Sequence, residues 1–428
     1  MPLSASRIAL GALALLTSCS SGQRTTSAER DSTTSVGARS AYADGSGSDS
    51  SQISQLASQV TRRALRVHKG DVVMIAGGKH TVPVMEAMGI EALRQGAQMQ
   101  MLLSSERVTN ARLKQLPEEN LSIPSQYFAD WLRTTTVYIG LPAASDPKAM
   151  LADVPEARLA KWYSGFSAIY AMLDASPVRG AYIDYPSEGS AHAAGMPYAD
   201  YARMQLAAIG TAPETMAQSG ARFDARLQRA KAVHITSPAG TDLTVTLTGR
   251  PAVVDAGMLA PDAEKEKQFI KRWITLPGGN FGAAIGESSA SGVVVVPRDI
   301  CKFQPVRDAR YEFKGGAISS VTAKQGESCL KEQLAAYGEP MRRIGQIGVG
   351  LNPELRVVEE NGDYRPWNGA GLVGLFLGDN TLLGGTLKVP GAVNIGIPIT
   401  HATLEVEGEA LVRDGKLVGA RTASAPAQ

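Results

Sequence analysis

Near residue 231 the chain changes its pattern, and that change constrains its fold more than any other feature. Up to Ala230, short apolar runs alternate with stripes of helical period. Ile53, Leu56, Val60 and Leu65 form one stripe, closed by the turn Lys69-Gly70-Asp71. Val72–Ala76 reads as a buried strand ended by Gly77-Gly78. Thr81 then caps a helix with Val82, Met85, Met88, Ala92 and Leu93 on its apolar side, closed at Gln95-Gly96. The strand signal returns at Gln98–Leu103, Thr136–Leu141 and Ala181–Asp184, and Phe223–Ala230 closes a long helical stretch. Strands separated by helices predict a mostly parallel sheet covered on both faces, a three-layer α/β domain over residues 53–230. From Val233 the strands His234–Thr236, Leu243–Leu247, Val293–Val296, Arg310–Phe313 and Thr403–Val406 are separated by glycine-containing turns. One helix, around Cys329–Tyr337, interrupts them. Residues 231–428 are therefore expected to form a β-rich, antiparallel domain.

Length and charge narrow the function classes. The chain has 428 residues, 44% of them hydrophobic, enough for two or three domains of roughly 100–200 residues. With 43 Lys+Arg against 41 Asp+Glu it carries a formal charge of +2 and no basic stripe, so no nucleic-acid partner is expected. No apolar stretch is long enough to span a membrane as a helix.

The N-terminus carries a targeting signal. Arg7 precedes the apolar run Ile8–Leu16, and Leu16-Thr17-Ser18-Cys19 resembles the bacterial lipobox. Residues 1–18 then form a signal peptide, and Cys19 becomes the acylated first residue of the mature chain. Two or more acyl chains suffice for stable anchoring. The alternative is an ordinary signal peptide with an incidental cysteine. Ser20 after Cys19, rather than Asp, favours the outer membrane, with the folded body in the periplasm. Residues 19–52, rich in Ser, Thr, Gly and Ala, read as a flexible tether holding that body on the order of 30 Å from the bilayer. In an oxidising compartment Cys301 and Cys329 are candidates for a disulfide; two separately buried thiols are the alternative.

Catalytic motifs are scarce. Gly77-Gly78-Lys79-His80-Thr81 stands at a strand-to-helix junction but lacks the spacing of a phosphate-binding loop, and a glycine turn with a Thr cap explains it. His68, His80, His192 and His234 lie far apart, and each fits a surface or packing role. G-x-S-x-G, H-E-x-x-H and C-x-x-C are all missing. Taken alone, the residues describe a two-domain tethered lipoprotein without a chemistry.

A family resemblance adds to this. Val233–Thr244 (VHITSPAGTDLT), Leu276-Pro277-Gly278-Gly279, Ile344–Pro353 (IGQIGVGLNP), Leu377-Gly378-Asp379-Asn380 with Gly384-Gly385, and the segment at His401 follow one another as in the thermophilic-type metallo-aminopeptidases, the aminopeptidase T group. Val67–Ala97 fits the opening segment of that family. The resemblance runs from Ile53 to the C-terminus and implies an α/β domain, a β-rich domain and a homodimer enclosing the active site.

That family holds two divalent ions with two glutamates, two histidines and an aspartate, aided by a tyrosine. Matched segment by segment, the glutamates fall on Asn280 and Gln346, the first histidine on Gly374, the tyrosine on Thr381, and the closing H-x-D on His401 and Thr403. Only His401 keeps its type. Two ions about 3.5–4 Å apart repel strongly and need anionic ligands, and none of the three carboxylates is kept. Nearby carboxylates such as Glu287, Glu339, Asp379 and Glu405 could compensate in principle, but no two of them sit at a ligand spacing beside His401, and of these Glu405 alone is expected on its strand face. The expectation is a degenerate, membrane-anchored member of the family, without cofactor, that binds an unknown ligand or protein partner. Two alternatives stand beside it. One is an enzyme of altered chemistry using His401 with Gln346, Asn280 and Asp379; the other is a working metallo-aminopeptidase with two metal ions.

Overall fold

Aliphatic runs buried on both faces build the first sheet. The computed structural model describes residues 50–250, 252–356 and 366–419; Cys19, the signal segment and the tether up to residue 49 lie outside the described residues. Ser50–Gln52, expected in the tether, already belong to the helix Ser50–Ser58. The first four strands are β1 (Val72–Gly78), β2 (Gln98–Ser104), β3 (Val137–Gly140) and β4 (Arg179–Ile183). Then come β5 (Ala232–Thr236), β6 (Asp242–Thr246), β7 (Val253–Asp255) and β8 (Trp273–Leu276). All pairings in the first sheet are parallel, in the order β2-β1-β3-β4-β8. Every residue of β3, β4 and β8 is buried, as a sheet covered by helices on both faces requires, whereas the edge strand β2 is mostly exposed.

Strand β8 lies beyond the sequence boundary at residues 230/231, yet it pairs with β4 through Gly180↔Trp273 to Ile183↔Leu276. The chain returns to complete the parallel sheet after it has begun the β-rich part. The Thr81 cap also differs from expectation: its hydroxyl donates back to the Gly78 carbonyl at 2.8 Å, and a short 3-10 turn, Lys79–Thr81, leads into the helix Val82–Arg94.

One buried ion pair ties the strand starts of this sheet together. Asp71 immediately precedes β1, Thr136 precedes β3, and Arg179 opens β4. Arg179 donates to both Asp71 oxygens, Nη2 at 2.7 Å and Nη1 at 3.1 Å, and its Nε donates to the Leu65 carbonyl at 3.0 Å. The Thr136 hydroxyl and the His68 N–H complete the carboxylate's partners at 2.6 and 2.9 Å. Burial pushes the Asp71 carboxyl up, but these hydrogen bonds and the Arg179 charge bring it below its ordinary value.

The remaining strands build two packed sheets. β9 (Asn280–Ala284), β10 (Ser291–Cys301), β11 (Gln304–Lys314), β12 (Ala317–Thr322) and β13 (Ile344–Gly350) precede β14 (Val373–Gly378). β15 (Asn394–Ile399), β16 (Thr403–Val406), β17 (Glu409–Arg413) and β18 (Lys416–Leu417) finish the described chain. The eight-stranded sheet has the order β12-β11-β10-β6-β5-β16-β17-β18, and the five-stranded one β15-β14-β13-β9-β7; both are antiparallel. Val233, Ile235, Leu243 and Val294 of the larger sheet share one core with Phe281, Ile347, Leu375 and Ile397 of the smaller. The helix Glu327–Ala336 is joined to the β10–β11 hairpin by a Cys301–Cys329 disulfide that closes 28 residues of chain.

Replacing one partner of a buried ion pair strands the other. Asp71→Asn is expected to lower the unfolding free energy by about 3 kcal/mol near neutral pH. Because the folded carboxyl is depressed, its contribution is present above the unfolded pKa and is lost as pH falls through the lower folded one. Urea midpoints of wild type and variant should therefore converge below about pH 3.

Candidate functional site

The pleat of the five-stranded sheet divides its side chains between two environments. Phe281, Ala283, Ile347, Val349, Val373, Leu375, Leu377, Ile397 and Ile399 point into the core. The alternate positions form the opposite face. The pairings Gly350↔Asn280, Gly348↔Gly282, Gly348↔Gly374, Gln346↔Phe376, Phe376↔Gly396 and Gly378↔Asn394 place these residues side by side on it. Asn280, Gln346 and Gly374, matched in sequence to two glutamates and a histidine, thus share one face across three adjacent strands.

His401 and Thr403 do not join them. His401 sits in a turn after β15 with φ 50°, half-exposed, its Nδ1 2.8 Å from Asp414 Oδ1. Thr403 opens β16 in the eight-stranded sheet, pairs with Thr236, and accepts the Asp414 N–H at 3.3 Å. These two therefore share no strand face, because the strand begins only at Thr403. The i, i+2 pair that shares the face with Asn280 and Gln346 is Asn394 and Gly396 on β15, as the alternation Val393-Asn394-Ile395-Gly396-Ile397 requires. Asn280, Gln346, Gly374, Asn394 and Gly396 thus stand on one face, and none of these five is ionisable.

Two aromatic rings occupy the space over the glycines. A Cβ on Gly374 would lie 2.8 Å from Trp367 Cζ3, one on Gly396 2.6 Å from Trp367 Cζ2, and one on Gly348 2.7 Å from Phe376 Cε2. Trp367 and Phe376 are nearly fully buried and pack against each other with ring centroids 5.0 Å apart. What remains beside them is a cleft of about 40 Å³, lined by Asn280, Gln346, Phe376, Asp379, Asn380 and Asn394 among others. Such a space holds a water or two, not a peptide.

The nearby carboxylates serve the surrounding loop. Asp379 accepts the N–H of Thr381 at 2.9 Å, the Thr381 hydroxyl at 2.6 Å and the Val389 N–H at 2.8 Å. Glu287 accepts from the Thr386 N–H, the Thr386 hydroxyl and Asn380 Nδ2 at 3.0–3.1 Å and faces Arg250 at 3.3 Å. Burial raises the Glu287 carboxyl, but these donors outweigh it and bring it down to about 2. Glu339 pairs with Arg343, and Glu405 lies beside His234 on the other sheet. Among the described residues no three His, Cys, Asp or Glu side chains converge at a metal-binding spacing. Neutral amides, glycines and filled space do not fit a pair of divalent cations.

Residues 49–353 match the thermophilic metalloprotease (M29) family, and the chain belongs to that family. Its fold is similar to that of wild-type AmpT from Thermus thermophilus, with a TM-score of 0.68 at 19% identity over 86% of this chain and 99% of that one. It is also similar to 2,5-dihydroxypyridine dioxygenase from Pseudomonas putida KT2440, with a TM-score of 0.57 at 17% identity over 87% of this chain and 98% of that one. In sequence, the 2,5-dihydroxypyridine 5,6-dioxygenase of Pseudomonas putida is 26% identical over 204 residues, 45% of this chain and 55% of that relative. The chain thus spans about half the length of the curated relative it matches. At these identities the structural likenesses show the fold, α/β followed by antiparallel sheets.

The aromatic plug has a measurable consequence. Gly374→Ala should lower stability by about 1–3 kcal/mol through overpacking against Trp367. In a Trp367→Leu background most of that penalty should vanish, giving a coupling of about 1 kcal/mol or more in a double-mutant cycle. Denaturant midpoints of the four proteins check it, and additive penalties would show that Trp367 does not fill this space.

Proposed function

We propose that this chain is an aminopeptidase T-like protein that has left two-metal peptidase chemistry and acts by binding, while anchored to a membrane through acylated Cys19. The observation that carries this reading is the composition of one sheet face: Asn280, Gln346 and Gly374, matched in sequence to two of the family's glutamates and a histidine, share it with Asn394 and Gly396, which we take as the closing pair, under the rings of Trp367 and Phe376. Fold and activity are separable, and a fold survives the loss of its reacting groups. The resemblance further supports a homodimer, and the lipobox-like N-terminus supports the periplasmic side of the outer membrane.

A second reading keeps an enzyme of altered chemistry. The sequence likeness to a 2,5-dihydroxypyridine 5,6-dioxygenase favours it, since ring dioxygenation is a reaction other than peptide hydrolysis. Its difficulty here is the 40 Å³ cleft, which has no room for an aromatic substrate beside Asn280 and Gln346.

The full chain, purified in detergent, is expected to take up no stoichiometric zinc, cobalt or manganese and to release no amino acids from unblocked peptides. Metal analysis and a peptidase assay check this. Wild-type protein that copurifies with two metal ions and loses peptidase activity on chelation would overturn the reading. Ligand restoration needs Asn280→Glu, Gln346→Glu, Gly374→His, Asn394→His and Gly396→Asp together with Trp367→Ala; without the last change the new side chains meet the ring. For the anchor, Cys19→Ala should move the protein from the detergent phase to the aqueous phase. Identical partitioning of the two forms would remove it.

A further inference from the structure

Strand β2 is the free edge of the parallel sheet. It pairs with β1 and, among the described residues, with no other strand. Its seven residues, Gln98-Met99-Gln100-Met101-Leu102-Leu103-Ser104, include no charge, proline or glycine, and most are exposed. Proteins ordinarily blunt such an edge with charges, prolines or a bulge, because its unpaired N–H and C=O groups template another strand.

An apolar stripe runs beside this edge. Met99, Met101 and Leu103 alternate onto one face of β2, and the helix Val82–Arg94 packs on that face, with Gly89 against Met99 of β2 and Ile75 of β1. Ile90 and Leu93 of the helix and Met101 and Leu103 of the strand are each between 39% and 56% exposed. They are four of the seven large apolar side chains so exposed in the described chain, so its uncovered apolar surface gathers here.

Charge and spacing say what covers it. Glu86, Ile90 and Arg94 recur at i, i+4 and i+8 on one side of the helix, and both charged residues are exposed. Within the chain Arg94 reaches Glu91, which Arg62 also holds. A two-fold axis beside Ile90 sets Glu86 of each copy against Arg94 of the other. The strand has the same property: an antiparallel two-fold at Met101 sets Met101 against itself and Met99 against Leu103, with no charge to repel. The two centres lie level, because Gly89 packs on Met99 and Ile75, and Ile75 is paired with Met101. Strands about 4.8 Å apart, each pair roofed by its helix, would bring the two helices about 10 Å apart, the spacing of packed helices. A foreign peptide strand would satisfy the edge but leave Ile90 and Leu93 uncovered.

We propose that β2 and the helix Val82–Arg94 dock a second copy of this chain, through an antiparallel two-fold β2–β2 contact that joins two five-stranded sheets into one. β2 and β8 are opposite edges of the sheet, and the Asn280 face follows β8. This contact is therefore distinct from a dimer closed over that face, and it holds whichever reading of that face is correct.

Cysteine linking of the full chain in detergent tests it. Under mild oxidation Met101→Cys should form a disulfide-linked dimer, because a directly opposed pair falls within the roughly 4.4–6.8 Å Cα separation a disulfide needs. Gln98→Cys should link no more than wild type treated alike, since that residue and its own copy lie about 20 Å apart along the strands. In the Met101→Cys background, Glu86→Arg or Arg94→Glu alone should slow linking at least about threefold, and the two together should restore it. No linking of Met101→Cys above wild type would overturn the proposal, as would equal linking of Met101→Cys and Gln98→Cys. Single charge reversals without effect, or a pair that fails to rescue, would also count against it. If linking is absent and Leu93→Asp or Leu103→Asp instead weakens binding of the Cys19→Ala chain to zwitterionic vesicles, the patch belongs to a bilayer and the second copy is excluded.

Discussion

The period of two along a β-strand governs the second half of this molecule. Each of β9, β13, β14 and β15 sends its aliphatic residues into the shared core of the two antiparallel sheets, and that burial fixes the register. Whatever stands at the alternate positions is then forced onto one common face. In this chain that face carries Asn280, Gln346, Asn394 and a field of glycines. Slipping any one of these strands by a residue would expose its core set. The chemistry of the face can therefore change while its geometry cannot.

The first half solves a different problem with similar economy. Its sheet is buried on both faces, so alternation cannot set the register, and the strand starts are tied by polar contacts instead. Asp71, Thr136 and Arg179 form that tie at the beginning of β1, β3 and β4. Strand β8 then links the halves: it completes the parallel sheet and runs straight into Pro277-Gly278-Gly279 and β9, whose first residue is Asn280. Asn368 Nδ2 donates to the Pro277 carbonyl at 2.6 Å, and Asn352 Nδ2 donates to the Gly278 carbonyl at 3.0 Å. The candidate face is thus positioned by both halves.

Much of this was legible in the residues. Val72–Ala76 and Ala181–Ile183 are strands because their aliphatic runs leave no solvent face, Gln98–Leu103 forms the exposed edge strand, and Cys301 and Cys329 do meet in a disulfide. The five-stranded sheet was harder to read. Segments such as Ile344–Gly350 and Val373–Gly378 mix glycine with aliphatics, and glycine is depleted in strands, so they read as turns or motif fragments. Their glycines are there because Trp367 and Phe376 lie against them, a contact made by residues distant in sequence. The place of His401 was hidden for a related reason: only the three-dimensional register shows that β15 ends before it.

Physical chemistry also accounts for the kind of residue this face carries. Without cations, three carboxylates crowded on a buried face would each meet a desolvation cost and mutual repulsion, driving their pKa values up or the structure apart. An amide of nearly the same shape keeps the hydrogen-bonding capacity and drops the charge. Asn280 and Gln346 present such amides, and Gln346 is only 4% exposed. Glycine at 374 and 396 leaves space that the indole of Trp367 fills with apolar contact. Amides and glycines thus make the face part of a hydrophobic cluster held by packing. Introducing one charged group alone is therefore expected to be unfavourable: a lone carboxylate or imidazole would be buried without a partner, against rings that leave it no room.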